Sequence, residues 1–148
     1  MGVIGKATTY WQSWNFLVEV GGKPIAGFNK VTGIGFKIAG VKFIEGGVTG
    51  ITDQSHGPET PKDVTLERGV SKDSYFWDWR ENIRAGNPDD LRDVTIAQQH
   101  GGTVVERIKL GACLLGDFEA GDFDRGSEDK VRMQKVVLSP KTIDREVV

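Results

Sequence analysis

Between Val64 and Trp79 the hydrophobic pattern changes period. Val64, Leu66 and Arg68 alternate with Thr65 and Glu67, the two-residue repeat of a strand. Gly69 and Val70 end that run. Ser71 and Asp73 follow, and either side-chain oxygen can accept a free backbone N–H at a helix start. Phe76, Trp79 and Ile83 then recur at helical spacing, which makes one side of a short helix over about residues 73–85 large and apolar. Gly86 offers a left-handed stop, with Pro88 just beyond. The pattern predicts strand, tight corner and aromatic helix, with Phe76, Trp79 and Ile83 anchoring the helix over the face or end of a sheet.

The rest of the chain is patterned as strands. In the run Trp14 to Val20, Phe16, Val18 and Val20 point one way and Leu17 and Glu19 the other. A turn at residues 21–24 leads to a return strand beginning at Ile25 to Phe28, continued by Val31 to Gly35. Phe36 to Glu45 is a further strand, kinked or bulged at Gly40. Val94 to Gln99 and Thr103 to Leu115 form two more, joined at His100-Gly101-Gly102. Lys130 to Ser139 is the last, with Pro140 and a short tail after it. The glycine pairs Gly21-Gly22, Gly46-Gly47 and Gly101-Gly102 read as hairpin turns that need positive φ. Together these features predict a mainly β protein: a single domain over residues 1–148, an antiparallel β-sandwich or barrel with one short flanking helix. Residues 1–13 are expected to form a loosely held arm.

One region breaks the pattern. Residues 46–63 have few apolar side chains and no clear period, and connections of that length are uncommon in compact domains unless functional. A long protruding loop or hairpin is predicted there, ordered mainly against a partner. Gly46, Gly47, Val48, Ile51, Pro58 and Pro61 are its candidate subunit contacts.

Composition narrows the function. The chain has 148 residues, 38% hydrophobic and 27% charged, which suits one folded domain with a proper core. Nineteen basic against twenty-one acidic residues give a net charge of −2, the wrong sign for a general nucleic-acid binder. The single cysteine, Cys113, cannot form an intrachain disulfide. No run reaches the roughly 20 apolar residues of a membrane helix, and neither a secretion signal nor a myristoylation pattern is expected from the first residues.

Signals for chemistry are weak. His56 and His100 lie far apart in turn-like surroundings, without the spaced partners of a metal site. Cys113 sits in an apolar strand and reads as a buried, inert thiol. The acidic stretch 117–129 fails the calcium-loop pattern, because no glycine falls at the sixth position. It reads as a solvated hairpin, or as a surface that repels anions. Gly33-Ile34-Gly35 lacks the third glycine of a dinucleotide fingerprint. Arg80 and Arg84 could grip an anion, but pairing with Asp78 or Glu81 is the simpler expectation. Trp77 and Trp79 could line a sugar cleft, though aromatics at this spacing more often anchor a core. No catalytic residue, metal ligand or cofactor is assigned.

Several segments fall in a familiar order: Phe16 to Phe28, Val31-Thr32-Gly33-Ile34, Glu45-Gly46-Gly47, Val64-Thr65-Leu66-Glu67-Arg68-Gly69-Val70, and Phe76-Trp77-Asp78-Trp79. In this the chain resembles the tail tube proteins of contractile phage tails and the inner tube proteins of phage-derived injection particles. The likeness covers about residues 14–83; further on, Ala112-Cys113-Leu114 stands where the family often carries Ala-Trp-Pro. The resemblance implies a structural protein without enzymatic activity or cofactor. It implies hexameric rings stacked into a hollow tube, in which sheets of neighbouring subunits fuse into one barrel and DNA or a protein payload passes without specific binding. The implied partners are further copies of the chain, a sheath protein, a tape measure protein, and initiator or baseplate and terminator proteins. The implied setting is a virion tail or injection particle assembled in the bacterial host cytoplasm, with no membrane anchor. A ligand- or carbohydrate-binding β-sandwich module and the tube protein of a bacterial secretion system remain the alternatives.

Overall fold

A computed structural model of the protein describes residues 10–25, 27–43, 53–126, 128 and 130–148. The element order is β1 (Phe16–Val20), β2 (Lys23–Ile25), β3 (Phe28–Thr32), β4 (Phe36–Phe43), β5 (Asp53–Pro61), β6 (Val64–Gly69), α1 (Tyr75–Arg84), β7 (Arg92–His100), β8 (Thr103–Glu119), β9 (Met133–Ser139) and β10 (Thr142–Val147). The protein is mainly β, and the strand pairs are antiparallel.

Two hairpins turn on the predicted glycine pairs. Gly21 and Gly22 (φ +60° and +78°) join β1 to β2, and Gly101 and Gly102 (φ +60° and +80°) join β7 to β8. Two central residues with positive φ give the turn whose twist matches the flanking strands. The third pair, Gly46-Gly47, lies outside the described residues.

The strands form two layers that share β8. One layer runs β2-β1-β7-β8-β10 and the other β8-β9-β6-β3. The first part of β8 pairs with β7 and β10, and its end, from Leu114 to Glu119, pairs with β9. The bend lies at Ala112, a non-glycine residue at φ +48°. Its N–H is donated to Asp93 Oδ1 at 2.9 Å. Across the same bend β9 gives way to β10 at Pro140, and Lys141 N–H bonds the Gly111 carbonyl at 2.9 Å. A paired ribbon therefore folds over as a unit.

The core fills the space between the layers. Val18, Val20, Ile25, Val94, Ile96 and Leu110 come from one side, Val64, Leu66, Val136 and Leu138 from the other. Each fully buried aliphatic side chain of this kind contributes about 1.5–3 kcal/mol. α1 adds Phe76 and Trp79, both buried, with Ile83 half-buried against the cluster.

Five details differ from the pattern reading. The return strand expected from Ile25 to Phe28 and on through Val31 to Gly35 is two strands, β2 paired with β1 and β3 paired with β6. Asp53–Pro61, within the stretch predicted as a long loop or hairpin without strand periodicity, is strand β5 paired with β4. A two-stranded ribbon leaves each strand one free edge, so prolines are tolerated at its bulge and its end, where Pro58 and Pro61 lie. The short tail after Pro140 is strand β10, pairing with β8. β8 runs on to Glu119, so that Asp117 and Glu119 belong to a strand and not to the acidic loop. At the helix start Ser74 occupies the cap position but donates its hydroxyl to Asp78 Oδ2 at 3.0 Å and makes no capping bond, while Asp73 Oδ1 accepts the Tyr75 N–H at 3.0 Å. The predicted irregularity at Gly40 is present as a register shift between Ile38 and Gly40.

Candidate assembly surfaces

The β4–β5 ribbon extends β3 and β6 beyond the body and pairs with no other strand among the described residues. The break comes at Gly33, where φ is +85° and an added Cβ would collide with the Asp63 carbonyl oxygen. Lys62 N–H bonds the Gly35 carbonyl at 2.9 Å and closes the neck of the arm. Along β4, Phe36 is 54% exposed, Ile38 41% and Val41 39%. A lone hairpin is marginal in water, and three large apolar side chains in the open add to the cost of leaving this one alone. Of the candidate contacts, Pro58 is exposed and Pro61 half-buried on β5. Gly46, Gly47, Val48 and Ile51 fall outside the described residues.

The second surface is the outward face of the β8-β9-β6-β3 layer. Register sets Glu119 beside Lys135, Lys135 beside Glu67, and Glu67 beside Lys30. A row of alternating sign therefore crosses all four strands, from an acid on β8 to a lysine on β3. The neighbouring row is Asp117, Val137, Thr65 and Thr32. Among the described residues, β3 has no partner beyond β6, and the end of β8 has none beyond β9. Unpaired strand borders of this length template pairing with another chain. None of this was read from the sequence. Its signal, acids and lysines at alternate positions of separate strands, acquires meaning only once register is known.

Two arginines fix the helix to the body, and sequence reasoning singled out neither for that role. Arg68 is 2% exposed. Its guanidinium lies 5.3 Å from the Phe28 ring centre and 5.2 Å from that of Phe76, and it donates to Asp73 Oδ2 at 3.0 Å. The Gln134 amide, with its oxygen turned towards the guanidinium, accepts from Nε and, at 3.0 Å, from Nη2. Burial pulls the Asp73 carboxyl up. The Arg68 hydrogen bond, the Tyr75 amide and the Arg68 charge more than offset this and hold it below its ordinary 3.8. Arg92 stacks over Tyr75 and Trp79 at 5.1 and 5.0 Å and grips Asp90 with two bonds of 3.2 and 2.9 Å. The Arg92 hydrogen bond leads in holding Asp90 below its ordinary value.

The residues considered for chemistry are otherwise engaged or scattered. Trp79 is fully buried and donates Nε1–H to the Asp90 carbonyl at 2.8 Å, so no cleft displays the tryptophan pair. Trp77 is 40% exposed, set edge-on to Phe118 at 5.0 Å with Arg80 over its face. Arg80 and Arg84 both pair with Glu81, one of the two partners expected for them. Cys113 is buried, and desolvation, with the Asp93 charge second, pushes its thiol up to about 11. His56 lies exposed on the arm. No group of three metal-capable side chains occurs among the described residues.

Comparison with known proteins sets these surfaces in context. A family model described as T4-like virus tail tube protein gp19 matches residues 12–143. No curated protein matches the chain by sequence. The fold is similar to that of a chain in the sheath-tube complex of an extracellular contractile injection system (PVC) in its extended state. That likeness has a TM-score of 0.83 at 20% identity over 94% of this chain and 93% of that one. A chain in the tube-terminating cap of the anti-feeding prophage gives 0.85 at 17% identity, with all of both chains covered. Hcp1 from Flavobacterium johnsoniae gives 0.54 at 12% identity, over 90% of this chain and 96% of that one.

Proposed function

Since the chain belongs to the T4-like virus tail tube protein gp19 family, we propose that this tail tube subunit forms homohexameric rings that stack into a hollow conduit. DNA or a protein payload passes through the conduit into a target cell. The β4–β5 arm is the observation that carries this reading. It is a self-paired ribbon with exposed apolar side chains on β4, and no other strand among the described residues pairs with it; stacking gives it a surface to lie on. Gly46, Gly47, Val48 and Ile51, which lie between β4 and β5 in the sequence, with Pro58 and Pro61 on β5, are the proposed contacts.

The open borders of the β8-β9-β6-β3 layer fit the same picture, because closing a ring removes free strand edges. The net charge of −2 suits a wall along which DNA slides without sticking. The role is structural and uses no cofactor. A sheath around the tube, a terminator at one end and a baseplate or initiator at the other are the expected partners, with a tape measure protein inside. Assembly in the bacterial host cytoplasm into a virion tail or injection particle follows from that role.

Negative-stain microscopy and sedimentation of the purified protein test the reading. Rings or tubes are expected. A stable monomer at high concentration, even with the initiator complex present, would overturn it.

A further inference from the structure

We propose that the β4–β5 arm of one copy seats in a notch on a copy in the next ring, between residues 119–124 and residues 130–133. This contact rests on the stacked tube proposed above. It adds which surface receives the arm, which way round the ribbon lies, and why the stack has one direction.

The notch is an open cavity of about 1080 Å³ between the end of β8 and the start of β9. Phe123, Val131 and Met133 line it, with Phe123 86% and Val131 72% exposed. The lining is held in place from within the subunit. The Arg132 guanidinium lies 4.1 Å from the Phe123 ring centre, and the Val70 N–H bonds the Arg132 carbonyl at 2.9 Å. At Gly121 (φ +89°) an added Cβ would collide with the Met133 carbonyl oxygen, so the chain leaving β8 lies tight against the start of β9. Position excludes the subunit's own arm. The arm joins the body where β6 begins at Val64; the notch lies where β6 ends at Gly69, beside Met133. Those ends are roughly 17 Å apart, and no residue of the arm lines the notch.

Charge sets the orientation. β4 carries Lys37 and Lys42 and no acid, whereas β5 carries Asp53 and Glu59 and neither lysine nor arginine. The notch is divided in the same way. Glu119, Asp122 and Asp124 lie on the segment that leaves β8, and Lys130 and Arg132 on the segment that enters β9. With β4 against the first segment and β5 against the second, each strand meets the opposite sign. The reversed ribbon sets lysines on basic residues and acids on acids, which is disfavoured. Phe36, Ile38 and Val41 of the arm then bury against Phe123, Val131 and Met133. With the arm at one end of β6 and its seat at the other, copies join head to tail. Such a contact repeats without closing along the stack, so every added ring offers the same pair of surfaces again.

Cross-linking of assembled tubes tests the seat. In the Ile38→Cys, Val131→Cys double variant the two thiols of one copy are separated by more than the length of β6, and a short bis-maleimide does not span that gap. Any link therefore joins two copies. A ladder of covalent oligomers extending beyond the size of one ring is expected on a denaturing gel. Each single variant should stay monomeric there, and buried Cys113 should not contribute. Tubes without a ladder would overturn the seat while leaving the tube reading intact. A ladder that stops at one ring, or one given by either single variant, would also overturn it. Absence of tubes from the unmodified protein would remove the tube reading itself, and this inference with it.

A charge exchange gives a second readout that needs no cysteine. Lys37→Glu with Lys42→Glu should raise the concentration needed for tube growth roughly tenfold, and adding Asp122→Lys with Asp124→Lys should recover part of that loss. No recovery in the combined variant would count against the seat.

Discussion

Trp79, Leu66, Leu110 and Leu138 in the body are fully enclosed, whereas Phe36, Ile38 and Val41 in the arm keep roughly two-fifths to a half of their surface in water. The arm is nevertheless as regular as the body, with a continuous register and a single bulge. Regular backbone and apolar content thus coexist with an absence of internal burial. The body's apolar residues hold the subunit together; those of the arm can contribute only by meeting another surface. A substitution should accordingly act on folding in one region and on assembly in the other.

The largest separation is expected from Trp79→Ala. It removes the anchor of α1 and leaves a cavity between the layers, and should cost the subunit about 3–5 kcal/mol in urea unfolding. Arg68→Ala comes next, at about 3 kcal/mol, near the lower end for breaking a buried pair because Asp73 reaches solvent. A Tm unchanged from the parent protein would show that the buried guanidinium is dispensable.

The ion pairs give a pH signature smaller than either. Asp73 and Asp90 have folded-state values held below the ordinary 3.8. Their contribution is fully present above that value and is lost as pH falls through the lower, folded value. The stability difference between the parent and Asp73→Asn should therefore be present at pH 7 and close at pH values well below 3.8. A difference constant over that range would remove the Arg68–Asp73 pair from the account.

The smallest effect on folding, and the sharpest on assembly, is expected from Phe36→Ser with Ile38→Ser. Urea unfolding should shift by no more than about 0.5 kcal/mol, while tube length in negative stain falls. Excising the arm between Gly35 and Lys62, whose backbones already bond across the neck, should leave a folded subunit that does not stack. Normal tube growth by either variant would place the stacking contact elsewhere.

The same division explains what could be read from the sequence. β1, β6, β7, β9 and α1 bury one face each, so their apolar residues fall at the spacing of the element, and Phe76, Trp79 and Ile83 marked the helix for that reason. β5 and β10 bury almost nothing. Asp53–Pro61 holds two prolines and no aliphatic alternation, and Thr142–Val147 is held largely through its pairing with β8, with Lys109–Glu146 and Arg145–Glu106 across it. Strands held by backbone bonds and cross-strand charges leave little hydrophobic trace. Arg68 stood at the right parity in the β6 pattern, but a cation on the core side becomes intelligible only with Asp73, Gln134 and two rings around it. The charged row is further out of reach, because residues adjacent in the row are separated along the chain by up to 68 positions, from Glu67 to Lys135.

The bend at Ala112 has a mechanical consequence. Because β8 passes from one layer into the other, and the chain beside it continues from β9 through Pro140 into β10, the layers cannot slide past one another as two plates held only by oily contact would. A load applied at one border travels along covalent backbone and its hydrogen-bonded mate, and the Asp93 carboxylate braces the elbow where stress would concentrate. The subunit should transmit force as a rigid girder.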